Sequence, residues 1–261
     1  MISASTPTAS LRVFAIHGFA SSAAVWQPLL ASTPTLALSA VNLPGHGGAP
    51  SPGASTLGAL AAACAAEVQE PAVWIGWSLG GLIALHAAHR YPQKVQGVVA
   101  VAISPRFLAT DDWSNALDAS EFRAFEASLK STPAKTLDRF YALQTHTRFG
   151  SSAALSRKLR SLSLGRGAPP QSVLEETLAI LGTTDLRDEA ATLSCPVLTV
   201  LGEDDALVPS GVCEDLSRLN PLWRVEIIEA AGHVPFLSHA EAFLALVESF
   251  IADISAERGA A

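Results

Sequence analysis

Cysteine, methionine and aromatic side chains are scarce in this chain. Its 261 residues hold three cysteines, Cys64, Cys195 and Cys213, and one methionine. An odd number of scattered cysteines excludes a disulfide framework and fits no metal-ligand spacing, so buried free thiols and no bound metal are expected. Aromatic residues make up 7% of the chain against 49% for all apolar types. A sizeable core can therefore be buried, but it must be largely aliphatic. No apolar run reaches the roughly 18 residues that span a bilayer. The first ten residues, MISASTPTAS, have neither a basic start nor an apolar centre, so no secretory signal and a cytoplasmic location are expected. Basic residues are also few, 17 against 24 acidic ones, and the net charge of −7 argues against nucleic acid as a partner.

That average conceals an asymmetry. Nine of the 17 cations lie between Arg123 and Arg166, where only Glu126 and Asp138 oppose them. This window carries +7, which leaves −14 for the remainder. Solvated helix faces would account for the pattern, and so would a docking surface for an acidic partner. Charge segregation of this size steers encounters, less so as salt rises.

Runs rich in β-branched and apolar residues predict strands at Leu11–Ile16, Thr35–Val41, Ala72–Gly76, Gly97–Ile103, Pro196–Leu201 and Trp223–Ile228. Helical stretches fall between the first four, at about Ser22–Ala31, Ser55–Val68 and Leu79–Arg90. The alternation predicts an α/β fold, a mostly parallel central sheet with helices on both faces. It lapses from Phe107 to Leu186, where only helices are predicted: Ser120–Lys130, Pro133–Thr145, Ala153–Leu162 and Gln171–Leu181, with a break at residues 165–170. The expected organisation is a core over residues 1–106 and 187–261, with a helical lid inserted at 107–186. Such a block would cover the carboxyl edge of the sheet, where open α/β folds bind ligands. The last residues, from Ile251 to Ala261, are expected to fray.

Gly76-Trp77-Ser78-Leu79-Gly80 carries the G-x-S-x-G pattern where a buried strand meets a helix. A sharp strand-to-helix turn strains its corner residue and demands small neighbours, which Gly76, Gly80 and Gly81 supply. Ser78 is then exposed beside the free N–H groups of a helix start. A serine at neutral pH needs a base, and the base an orienting acid. Both are available on loops after later strands. Residues 202–209, GEDDALVP, offer Asp205 with Asp204 as second choice, and residues 230–236, AAGHVPF, offer His233. The chain has six other histidines: His17 and His46 sit in glycine turns and read as loop braces, His86 and His89 as helix packing or surface. An oxyanion site needs two N–H donors; Leu79, after the serine, and Phe19, after the first strand in HGF, are the candidates. No cofactor is required by this chemistry.

HGF, LPGHG at Leu43–Gly47, GWSLGG, GEDDALVP and AGHVPF together resemble the α/β-hydrolase superfamily over nearly the whole chain. ISPRFLATDDW at Ile103–Trp113, DRFYALQT at Asp138–Thr145, TTDLR at Thr183–Arg187 and PFLSH at Pro235–His239 are similar to the pimeloyl-[acyl-carrier protein] methyl ester esterase family of biotin synthesis. The resemblance implies a serine carboxylesterase with Ser78, Asp205 and His233 as its triad. It implies substrate contact by Phe19, Ser78, Leu79, His233 and the run Phe140, Tyr141, Ala142, Leu143 and Gln144; by the residues alone, Phe140, Tyr141 and Leu143 fit a lid-helix core equally well. That family has tryptophan where this chain has Phe19. It also implies docking of acyl carrier protein on lid cations: Arg139 matches one directly, Lys135 stands at another, Arg157 matches with a one-residue shift, and an expected arginine near Ser152 is absent, with Arg148, Lys158 and Arg160 expected to compensate in the docking surface. A monomer is expected. A general short-chain esterase, a carbon–carbon bond hydrolase of the same fold, and a non-catalytic ligand-binding homologue are the alternatives.

Overall fold

The computed structural model describes residues 11–33, 37–51 and 53–259. The opening residues read for a secretory signal, and Thr35 and Leu36 of the second expected strand, lie outside them. The chain begins with β1 (Arg12–Ile16), a 3-10 turn and α1 (Gln27–Ser32), then β2 (Ala37–Val41), α2 (Leu57–Glu67), β3 (Ala72–Trp77), α3 (Leu79–Arg90) and β4 (Val95–Val101). A second stretch holds α4 (Ala119–Ser131), α5 (Pro133–Gln144), the two-residue strands β5 (His146–Thr147) and β6 (Gly150–Ser151), α6 (Ala153–Leu164), α7 (Gln171–Thr183) and α8 (Arg187–Ala191). The alternation then resumes with β7 (Val197–Gly202), α9 (Val212–Leu219), β8 (Trp223–Ile228), α10 (Pro235–Ser238) and α11 (Ala240–Gly259).

Six strands form one sheet in the order β2-β1-β3-β4-β7-β8, and every pairing is parallel. Every residue of β3 and β7 is buried, so both faces of the sheet are covered there. This explains why AVWIGW and VLTVLG read as unbroken apolar runs rather than alternating ones. The order reverses direction beside β1: β2 lies on one side and β3 on the other. Reversal points of this kind leave a crevice at the carboxyl ends of the strands. Phe19 and Ser78 follow the two strands that flank it.

Three differences from the sequence reading have local causes. Residues 107–118 are an irregular loop tied by isolated bridges between Leu108 and Leu117 and between Thr110 and Trp113, not helix. The β5–β6 hairpin and α8 are too short for hydrophobic periodicity to register; the hairpin turns on Gly150 at φ 99°. The C-terminal helix runs on to Gly259 because Ile251 and Ile254 are buried, with Ile254 seated against Gly97 of β4.

Glycine is required where backbones cross. A Cβ on Gly76 would collide with the Gly80 carbonyl, and one on Gly80 with the carbonyls of Ile16 and His17. The end of β3, the start of α3 and the end of β1 thus touch backbone to backbone. The loop after β1 is braced by His17, fully buried: Nδ1 lies 2.8 Å from the Gly18 carbonyl, and Nε2 accepts the Leu43 N–H at 3.0 Å. One neutral tautomer, protonated at Nδ1, satisfies both. Burial, helped by His46 with ring centroids 5.2 Å apart, lowers the His17 pKa from 6.5 to about 3.

Gly80→Ala is expected to destabilise the fold by about 3 kcal/mol or to prevent folding, because the clash is with immobile backbone; urea titration checks this. His17 binds a proton more readily unfolded than folded. Its contribution is therefore complete above pH 6.5 and lost as pH falls toward 3. Urea midpoints measured from pH 7 to pH 4 should fall with a slope containing about 1.4 kcal/mol per pH unit from this proton. His17→Asn should be less stable at pH 7 and should lose that part of the slope; an unchanged slope contradicts the assignment.

Candidate active site

Ser78 occupies the turn between β3 and α3 at φ 54°, ψ −119°, a conformation unfavourable for any side chain beyond glycine. Neighbouring bonds hold it there. Its N–H donates to the Val101 carbonyl at 2.9 Å, and its carbonyl accepts the Gly81 N–H at 2.8 Å. The residue is 8% exposed, at the wall of a cavity.

Asp205 follows β7. Its side chain is fully buried. Oδ2 lies 2.7 Å from His233 Nδ1, and Oδ1 accepts the N–H groups of Leu207 at 2.8 Å and Val208 at 3.1 Å. A buried carboxylate is costly unless its lone pairs are engaged, and these three donors engage them. Asp204, the second choice, points elsewhere: its Oδ2 accepts the Arg148 N–H at 3.1 Å. Nδ1 of His233 carries the proton in this arrangement, which leaves Nε2 as the basic lone pair. Nε2 is buried and has no hydrogen-bond partner among the described residues. The backbone of His233 is pinned on both sides: its N–H donates to the Gln144 carbonyl at 3.0 Å, and its carbonyl accepts the Trp77 indole N–H at 2.8 Å. Trp77 immediately precedes Ser78, so one indole ties the histidine loop to the serine turn.

Among the described residues, the N–H groups of Phe19 and Leu79 donate to no protein acceptor. Leu79 is the first residue of α3, at the positive end of the helix dipole. The paired approach of β1 and β3 brings both loops to one sheet edge.

A cavity of about 350 Å³ opens beside Ser78. Its walls come from Phe19, from Phe122 and Phe125 of α4, from Phe140 and Leu143 of α5, and from Leu178 and Leu181 of α7, with Glu121 the one ionisable lining group among the described residues. Phe19, Phe125 and Phe140 pack on one another with ring centroids 5.3–6.2 Å apart. The structure separates the members of the Phe140–Gln144 run. Phe140 and Leu143 face the cavity. Tyr141 is fully buried, and its hydroxyl donates to the Ala20 carbonyl at 2.5 Å, which braces the loop after β1. Gln144 meets His233 through its main chain, and Ala142 is absent from the cavity lining. The sequence does not single out the α4 and α7 wall residues. Their spacing of three along each helix marks one apolar face, but nothing in it says that the face borders a cavity.

The predicted docking cations also separate. Lys135, Arg139 and Arg157 are exposed, with no carboxylate within 4 Å among the described residues. Arg160 pairs with Asp138 at 2.6 Å, and Arg148 pairs with Glu203 and Asp204. Among the described residues, no group of three or more His, Cys, Asp and Glu side chains is placed to hold a metal ion, and no helix is long and apolar enough to cross a membrane.

The chain is 38% identical over 239 residues to the pimeloyl-[acyl-carrier protein] methyl ester esterase of Serratia marcescens, covering 91% of this chain and 92% of the relative. It is 40% identical over 249 residues to the protein of the same name from Xylella fastidiosa strain M12, covering 92% and 94%. Among solved structures, an esterase from Exiguobacterium antarcticum superposes with a TM-score of 0.83 at 19% identity, over 93% of this chain and 92% of that one. A bromoperoxidase from Bacillus anthracis gives 0.81 at 20% identity, over 93% and 92%. At those identities the two structures speak for the fold alone. The sequence profile of the α/β-hydrolase fold matches residues 12–240, and the chain belongs to the α/β-hydrolase family.

Proposed function

We propose that this chain is a serine carboxylesterase that hydrolyses the methyl ester of a pimeloyl group carried on acyl carrier protein, a step of biotin synthesis. The observation that carries the reading is the buried Asp205–His233 hydrogen bond of 2.7 Å on loops beside the strained Ser78 turn, at the wall of an apolar cavity. The relatives' names supply the substrate.

Ser78 Oγ attacks the ester carbonyl carbon while His233 Nε2 takes its proton. Asp205 holds Nδ1–H and stabilises the imidazolium that forms. The N–H groups of Phe19 and Leu79 receive the oxyanion; one such donor contributes about 3–4 kcal/mol to the barrier. His233 returns the proton to the departing methoxide, and methanol leaves an acyl-serine. Water, deprotonated by the same nitrogen, attacks the acyl carbon. The free carboxylate departs, and Ser78 regains its proton. Residues 107–186 act as the lid, with Phe140 and Leu143 lining the channel for the acyl chain. Lys135, Arg139 and Arg157 are lid cations with no ion-pair partner among the described residues and suit an acidic carrier protein; Arg148 and Arg160, already paired, suit it less. The working form is a cytoplasmic monomer.

Ser78→Ala should remove hydrolysis of a short p-nitrophenyl ester, and Asp205→Asn should lower kcat by about three to four orders of magnitude with the fold intact. Equal rates for wild type and Ser78→Ala would defeat every enzymatic reading. Expression of the wild type should rescue a biotin auxotroph that lacks its own pimeloyl esterase; failure of well-expressed protein would count against the substrate. Reversing both Arg139 and Arg157 to Glu should slow the carrier-bound ester by about tenfold or more while leaving the small ester unchanged. Equal effects on both substrates would remove the docking role.

A further inference from the structure

The β5–β6 hairpin reaches out of the lid and grips the two loops that carry Asp205 and His233. The Arg148 N–H donates to Asp204 Oδ2 at 3.1 Å, and its guanidinium meets the carboxylates of Asp204, at 3.5 Å, and Glu203. Both residues immediately precede Asp205. Glu203 Oε2 in turn accepts the Ala230 N–H at 3.0 Å. Ala230 has φ 56°, an unfavourable conformation that opens the turn leading to His233. Asp204 closes the same junction with its own N–H, 2.9 Å from the Ala231 carbonyl. Gly232 lies under the main chain of the lid: a Cβ there would stand 2.8 Å from the His146 carbonyl and 3.0 Å from that of Gln144. The acid loop, the histidine loop and the hairpin therefore share one network, and among the described residues Arg148 is its only Lys or Arg.

We infer that Arg148 is a positioning residue: through Glu203 and Asp204 it latches the lid hairpin onto the Asp205 and His233 loops and holds the imidazole at the bearing that Ser78 requires. The inference rests on the esterase reading of the site. It assigns Arg148 a role inside the molecule in place of contact with a carrier protein. The Ala230 N–H and then Arg148 hold the Glu203 carboxyl below the usual range, in keeping with the contacts that define the latch. The pair is partly exposed, so salt weakens it.

The test uses a small p-nitrophenyl ester, which has no carrier protein to dock. Arg148→Ala should lower kcat about tenfold with KM changed by less than about twofold, since a misdirected base slows chemistry without altering the pocket. Arg148→Lys should recover part of the loss. Sodium chloride at about 1 M should slow the wild type toward the Ala variant and leave that variant unaffected. Glu203→Gln added to Arg148→Ala should cost little more than either change alone. Full activity of Arg148→Ala on the small ester, with a defect confined to carrier-bound substrate, would overturn the inference in favour of docking. A fall in kcat that salt does not reproduce and Lys does not relieve would overturn it in favour of a general loss of structure. If wild type and Ser78→Ala hydrolyse the ester equally, the esterase reading fails first and the latch with it.

Discussion

The turn at Ser78 depends on backbone meeting backbone. Gly76, Gly80 and the carbonyls that end β1 are so close that a single methyl group at either glycine has no room. That proximity has two consequences for chemistry. It brings the start of α3 against the loop after β1, so the N–H groups of Leu79 and Phe19 come from the ends of adjacent strands. It also forces Ser78 into a conformation that the surrounding bonds must sustain, with its side chain turned toward the cavity. Strain of this kind persists only where the neighbouring structure over-determines it. Here the parallel pairing of β3 with β1 and β4 does so.

A second layer of constraint links the core to the inserted helices. Trp77 bonds the His233 carbonyl, Gln144 bonds its N–H, Tyr141 bonds the Ala20 carbonyl, and the hairpin at Arg148 bonds the acid loop. The helical segment therefore shapes the cavity with one set of residues, Phe140 and Leu143, and braces the loops after β1 and β8 with Tyr141 and Gln144. Successive side chains of a helix point about 100° apart, so Phe140 and Tyr141 serve different faces of α5, while Gln144 acts through its main-chain carbonyl at the end of the helix.

Much of this is legible in the primary structure because strong local signals coincide with the candidate site positions. The six strands of the main sheet and the helices from α2 to α7 are legible to within a few residues, the central strands because burial on both faces yields continuous apolar runs, whereas α9 and α11 are not delimited and the run of α11 past Ile251 contradicts the expected fraying. Ser78 was marked by its glycines, and His233 and Asp205 by their places after the last two strands. What sequence could not decide was direction. Asp204 and Asp205 are adjacent carboxylates, and only the turn geometry aims one at the imidazole and the other at Arg148. Tyr141 and Phe140 are adjacent aromatics on a helix, and only packing sends one to the core and the other to the cavity. Two strands of two residues carry no periodicity, so the sequence does not mark the hairpin, although it places Arg148 at the acid loop.

The most direct test of the account is covalent. A fluorophosphonate reagent, which reacts with an activated serine, should attach once per chain, and mass spectrometry should find the adduct on the peptide containing Ser78. Labelling should fall sharply in His233→Ala, which keeps the serine and removes its base. An adduct on another residue, or labelling of Ser78 at full rate without His233, would contradict a hydroxyl made reactive by the buried Asp205–His233 pair.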